Sequence, residues 1–192
     1  MKLLVVNNHS RHIRKILKEF KKVRVVDFKS LNKVDYDNYD AVILSGGYPL
    51  PVKYHEKEYS EEIKLIKKYK KPILGICLGF ELINFAYGEK LKRQKKRTKG
   101  EISIKLISES RLFTSFPKRF KVYEAHKWIV SENKFLETLA LSKDGVEAVK
   151  HPRKEIYGVQ FHPEIFVKNS HTKRIFKNFI EIVNLTNNKT RK

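Results

Sequence analysis

The chain carries a single cysteine, and the residues around it decide whether that thiol is a reagent or a piece of core. In Ile73-Leu74-Gly75-Ile76-Cys77-Leu78-Gly79-Phe80-Glu81-Leu82 an apolar run that reads as a buried strand passes directly into a helix, with glycine two residues before and two after Cys77. This is the pattern of a nucleophile elbow. A strand-to-helix turn this tight forces its central residue into strained backbone angles, and neighbours without a Cβ let the thiol project outward. At the start of a helix, backbone N–H groups and the dipole favour thiolate over thiol. The N–H of Leu78 points into the same space and is a candidate oxyanion donor.

A nucleophile needs a base, and the far end of the chain offers one. Tyr157-Gly158-Val159-Gln160-Phe161-His162-Pro163-Glu164 places a histidine just beyond a buried strand, with a carboxylate two residues later. His162 would take the thiol proton, and Glu164 would fix the tautomer and orientation of the imidazole. Each motif alone has a plain reading, since a free Cys behaves as a small hydrophobe and a lone His-x-Glu as a solvated pair. Together they make a nucleophile, base and orienter.

Partners so distant in sequence can meet only at strand ends, and the first half of the chain has the alternation of strand and helix signals that a parallel α/β sheet requires. Residues 2–6, 23–26, 41–44 and 72–76 read as strands, and 9–20, 56–69 and 78–87 as helices. Ser45-Gly46-Gly47 reads as a tight turn after the third strand. The second half is less regular. Strands are expected at 102–107, 120–123, 136–141, 146–149 and 156–161, and a helix with an apolar stripe of Ile175, Phe176, Phe179, Ile180 and Val183 within 171–185. The fold expected is α/β: a mostly parallel central sheet with helices on both faces, plus a small antiparallel extension. Residues 1–185 are expected to form a single domain, with 186–192 a frayed tail.

With 192 residues and 41% hydrophobic content the chain can bury a real core, and no apolar run approaches the ~18–20 residues of a membrane span. One cysteine excludes an internal disulfide and a Cys-rich zinc site, and a reducing cytosol is the expected compartment. The apolar stretch at the N-terminus is too short for a signal peptide. His9, His12, His55, His151 and His171 have no ligand spacing, so no metal is expected. Charge is the odd feature: 42 Lys and Arg against 21 Asp and Glu give +21. That field would attract polyanions. The basic residues are spread along the chain, however, and the densest run, residues 90–99, has no aromatic RNA-binding motif beside it, so it reads as a solvated loop or hairpin near the active-site face. Nucleic acid is not the expected partner. Trp128, the only tryptophan, reads as ordinary packing rather than a pocket cover.

In order and spacing, Ser45-Gly46-Gly47, Gly75-Ile76-Cys77-Leu78-Gly79 and Gly158-Val159-Gln160-Phe161-His162-Pro163-Glu164 resemble the three signature blocks of class I (triad) glutamine amidotransferases. The resemblance covers nearly the whole chain and is nearest to the separate glutaminase subunit of archaeal-type GMP synthase, with residues 116–126 and 147–151 fitting that subfamily. It implies a flavodoxin-like domain in which Cys77, His162 and Glu164 are catalytic and the amides of Gly47 and Leu78 form the oxyanion hole. Gly46, Glu81 and His126 would bind the substrate, L-glutamine, with no cofactor. The ammonia would pass to an ATP-dependent synthetase on another chain, the ATP-pyrophosphatase chain of GMP synthase, since this chain has no P-loop of its own.

There are departures. The family usually has His-Gln where this chain has Phe80-Glu81, and that Gln helps hold the substrate. Glutamate keeps the acceptors but lacks the donor, so it would suit an α-ammonium and repel an α-carboxylate. Leu-Gly-Phe-Glu is similar to the corresponding stretch of γ-glutamyl hydrolases, which implies a stand-alone γ-glutamyl peptidase as the alternative. Asn7-Asn8-His9-Ser10, Tyr48-Pro49 and Ala125-His126-Lys127-Trp128 depart as well. A retired binding module using the basic surface is a third reading, opposed by the complete triad.

Overall fold

Successive side chains of a strand point to opposite faces. In β1 (Leu3–Asn8), Leu3 and Val5 join one buried cluster and Leu4 and Val6 another, so the sheet must be covered on both sides. β3 (Ala41–Gly47) and β4 (Ile73–Ile76) repeat the pattern. The computed structural model describes residues 1–47, 50–132, 134–168 and 170–190, so the departure at Tyr48-Pro49 lies outside the described residues. α1 (Ile13–Leu17) and α4 (Arg174–Thr190) cover one face through Ile16, Phe176 and Phe179, while α2 (Ser60–Lys68) and α3 (Leu78–Ala86) cover the other through Leu65, Ile66, Leu82 and Ile83.

The remaining strands are β2 (Val23–Asp27), β5 (Lys92–Leu106), β6 (Arg119–Ile129), β7 (Glu137–Ser142), β8 (Gly145–Lys150) and β9 (Ile156–Val159). All nine form one sheet in the order β2-β1-β3-β4-β9-β8-β7-β5-β6. The pairings from β2 across to β9 are parallel, and those from β9 across to β6 are antiparallel. β4 and β9 are therefore adjacent and parallel. The loop after each strand emerges at the same edge, the place where open α/β sheets bind ligands.

Boundaries differ from the pattern reading where one signal overrode another. α1 is five residues long rather than the twelve of 9–20: His12 makes no capping bond, no acid stands in its first turn, and Arg14 and Lys15 crowd a helix too short to gain from them. β3 continues through Ser45-Gly46-Gly47, because Gly47 pairs with Asn8 after a shift in register. A Cβ on Gly47 would stand 2.1 Å from the Asn8 carbonyl oxygen, so only glycine allows that approach. Of the loop or hairpin expected over residues 90–99 the structure has the latter: residues 92–99 are the first half of β5, an arm paired antiparallel with β6 on either side of residues 94–97. Exposure of its Lys and Arg on both faces erased the alternation by which a strand is read. α4 runs past Leu185 to Thr190, with no Gly or Pro to stop it.

Candidate active site

The turn from β4 into α3 holds Cys77 at φ 50°, ψ −99°, outside the regions an L-residue prefers. Its ends are tied down. The Cys77 N–H donates to the Val159 carbonyl of β9 at 2.8 Å, and the Cys77 carbonyl accepts from Glu81 N–H at 2.9 Å. Because β9 runs beside β4, the chain leaving it brings His162 to the same edge, where His162 N–H donates to the Tyr123 carbonyl of β6 at 2.9 Å. His162 Nδ1 lies 2.8 Å from Glu164 Oε1, and the imidazole is also hydrogen-bonded to the Cys77 thiol. All three side chains are buried. A Cβ on Gly46 would come within 3.1 Å of His162 Cε1 and 3.5 Å of Cys77 Cβ, so the β3 end forms the third wall.

Burial pushes the Cys77 thiol up, against the charge and hydrogen bond of His162 that pull it down. The helix start alone does not deliver the thiolate expected from the sequence. Burial also pulls His162 down, but Cys77 and Glu164 outweigh it and hold the imidazole well above the ordinary histidine range. Each charged form thus depends on the other, and the pair exchanges a proton as a unit. Gln160 Nε2 points at the sulfur from 3.8 Å, and the His12 ring stands edge-on to His162 at 6.0 Å. The sequence reading gave neither residue a role.

A cavity of about 550 Å³ opens beside the thiol, bordered by Gly47, Leu78, Glu81, His126, Arg93 and Arg97. The fold thus gathers Gly47 and Leu78 with Cys77, and the first N–H groups of α3 lack helical partners. His126 is fixed on both sides: Nδ1 donates to the Trp128 carbonyl at 2.7 Å, and Nε2 is 2.8 Å from Glu124 Oε2. Glu124 in turn neighbours the buried Glu147, whose Oε1 accepts from Ser142 Oγ at 2.6 Å. Desolvation and the neighbouring Glu124 push Glu147 well above the usual carboxylate range. Trp128 is both core and pocket wall.

The class-I glutamine amidotransferase family model matches residues 4–182. The chain belongs to that family. It is 35% identical over 188 residues to the glutamine-hydrolyzing GMP synthase subunit of Methanococcus vannielii, covering 94% of this chain and 96% of that one. A Haemophilus influenzae protein provisionally named anthranilate synthase component II is 30% identical over 203 residues, covering 97% and 100%. A crystal structure of a Thermoplasma acidophilum protein, provisionally named as the corresponding GMP synthase subunit, superposes with a TM-score of 0.88 at 24% identity, covering 100% and 98%, a likeness of fold. No helix among the described residues is long and apolar enough to cross a membrane.

Against this amidotransferase background the departures acquire places. Phe80 is fully buried, and a Cβ on Gly158 would stand 2.9 Å from its ring, so the residue closes the core between α3 and β9. Glu81 is buried on the cavity floor, where desolvation pushes its carboxyl up to about 8 despite the charge of His126 and a hydrogen bond from Gln160. At neutral pH it is an uncharged acid with an O–H to donate, closer to an amide than the sequence alone suggests.

Asn8 braces the glycine pair. Its N–H donates to Ser45 Oγ at 2.9 Å, and Nδ2 donates to the Ser45 carbonyl at 3.1 Å and to Glu62 Oε1 at 3.0 Å. Burial pushes Glu62 up to about 8, against the Asn8 bond. Unfolded, that group ionises near 4.5, so the unfolded chain gives up its proton first and Glu62 erodes stability as pH rises from about 4.5 to 8. Glu62→Gln keeps the acceptor for Asn8 and removes the charge. In urea melts it should match the parent near pH 4 and exceed it by about 3 to 5 kcal/mol at pH 8.5, from ~1.36 kcal/mol per pH unit. Equal gain at both pH values would contradict the buried acid.

Proposed function

We propose that this chain is a glutaminase, the amide-hydrolysing half of an amidotransferase. The observation that carries this is the buried Cys77–His162–Glu164 array at the strand edge, facing a cavity with room for an amino acid. His162 takes the thiol proton as Cys77 Sγ bonds to the side-chain amide carbon, and the resulting oxyanion lies against the N–H groups of Gly47 and Leu78. His162 then returns the proton to the leaving nitrogen, the C–N bond breaks, and ammonia departs from a γ-glutamyl thioester. Water, losing a proton to His162, attacks the thioester and releases glutamate and the thiol. Glu164 holds the imidazole in register, and Gly46, Glu81 and His126 line the space for L-glutamine.

The ammonia goes to a synthetase on another chain. Identity to a glutamine-hydrolyzing GMP synthase subunit supports the ATP-pyrophosphatase chain of GMP synthase as that partner. Strands from Leu3 to Val159 in one sheet support a single domain over residues 1–185. Phe80-Glu81 favours the second reading, a stand-alone γ-glutamyl peptidase. The deciding measurement is glutamate release from L-glutamine and from a γ-glutamyl dipeptide, with and without the synthetase. Preference for glutamine, raised by the synthetase, supports the amidotransferase; preference for the dipeptide, indifferent to it, supports the peptidase.

Glu81 adds a pH signature. Its carboxyl is neutral below about 8 and charges above it, where it opposes the Cys77 thiolate. Glutaminase kcat/KM should therefore fall above pH 8 in the parent. Glu81→Gln should remain within about threefold of the parent at pH 7 and lose that alkaline decline. An unchanged pH profile in the variant would exclude Glu81 as its source.

A further inference from the structure

The pairing of β5 with β6 is regular except at one place. Arg93 lies opposite Trp128 and the next pair is Thr98 with His126, so residues 94–97 bulge out against Lys127 alone. Bulges of this kind re-aim side chains beside sites. Here the bulge is built rather than slack: Thr98 Oγ1 lies 3.1 Å from Gln94 Oε1, closing it, and 3.0 Å from Asp144 Oδ2, anchoring it to the β7–β8 turn. The bulge puts Arg97 on the rim of the space beside the thiol. Arg97 Nη2 donates to the Ala125 carbonyl at 2.9 Å, and the residue borders both cavities that meet at Cys77. Of the five N–H donors of a guanidinium this uses one, and among the described residues no carboxylate pairs with Arg97 or Arg93. The neighbouring Lys95 and Lys96 border neither cavity.

We infer that Arg97, with Arg93 behind it on the same rim, is the specificity residue of this pocket, its guanidinium receiving the α-carboxylate of the amide substrate. The inference rests on the glutaminase reading above. A planar fork matches a carboxylate in two parallel hydrogen bonds, and a cation at the mouth of a concave site draws an anion in. Glu81 on the floor offers oxygens to the α-ammonium at the other end, so the pocket recognises amides of a free α-amino acid and rejects those whose carboxylate is capped.

The test labels Cys77 and reads the adduct by mass spectrometry. The probe is 6-diazo-5-oxo-L-norleucine, a glutamine-shaped diazoketone with a free α-carboxylate that loses N₂ as carbon bonds to sulfur. Iodoacetamide, which has no carboxylate, reports thiol exposure and reactivity. Arg97→Ala should slow diazoketone labelling by about 30-fold and leave iodoacetamide labelling within about twofold, Arg97→Lys should recover part of the loss, and Lys95→Ala should label as the parent does. Equal diazoketone rates in the parent and Arg97→Ala would overturn the assignment. If the parent reacts with iodoacetamide but never with the diazoketone, the glutaminase reading itself fails and the assignment with it.

Discussion

Cys77→Ala is expected to lower glutamate release from L-glutamine by at least about 10⁴-fold, with His162→Ala costing nearly as much and the double variant little more than either alone. The non-additivity is the informative part. If the thiol attacks only after giving its proton to the imidazole, removing either partner removes the same step, and the second loss has nothing left to abolish. Geometry supports this coupling, because inside the buried pocket the charge of each group favours the charged form of the other, against the burial that opposes both. Glu164→Gln should be milder, since Gln can still hold a hydrogen bond at the position of Oε1, 2.8 Å from Nδ1, but no longer opposes the imidazolium charge. Folding is an easy control: Cys77 to Ala removes one sulfur from a well-packed wall. A Cys77→Ala chain that kept a hundredth of the parent rate would show that the thiol is not the nucleophile, and multiplicative losses in the double variant would show that His162 acts elsewhere.

The meeting of Cys77, His162 and Glu164 was legible in the sequence because local patterns carry it: the glycine spacing around Cys77, and a His-x-Glu placed just past an apolar strand. Parallel order was legible too, through the alternation of strands and helices in the first half. What could not be read was whatever depends on company in space. Glu62, in the first turn of an otherwise amphipathic helix, gives no sign that Asn8 will meet it under the glycine turn. Glu124 and Glu147 sit on β6 and β8, and nothing local tells that the two carboxyls become buried neighbours behind His126. Arg97 was hidden for a different reason. In a run of eight polar or basic residues the pattern carries no face, and the bulge that puts Arg97 on the rim of the cavities beside Cys77 exists only once β6 is alongside. The protonation of Glu81 was likewise invisible, since a residue type fixes which charge a group can have but burial decides whether it has it.

Gly79→Ala should be among the most damaging single-methyl changes in this protein. The sequence reading gave the two glycines around Cys77 the task of freeing the thiol, yet neither has a positive φ among the described residues; the strained backbone belongs to Cys77 itself. Their work is to let α3 lie directly on the sheet. A Cβ on Gly79 would stand 2.3 Å from the Leu44 carbonyl oxygen and 2.8 Å from Leu44 Cβ, both part of β3, and one on Gly75 would meet Gly79 oxygen at 2.5 Å. The obstacle is backbone in both cases, which cannot swing aside as a flexible side chain does. Relief requires α3 to lift from β3 and β4, opening the contacts of Ile83 and Leu82 and displacing Cys77, the residue that caps the helix. The expected cost is about 3 kcal/mol or more in urea unfolding, at the upper end for an overpacked core. Activity should fall further than stability explains, because a movement of about 1 Å at the helix start misplaces both the thiol and the Leu78 N–H, and about 100-fold in rate is the scale for such an error. Gly88→Ala supplies the contrast: nothing lies within 4 Å of its Cβ position, so its cost comes from the positive φ of 90° alone and should leave the glutaminase rate of the folded chain intact. If Gly79→Ala proved as stable and as active as Gly88→Ala, close packing of α3 on the sheet would not be what sets the nucleophile in place.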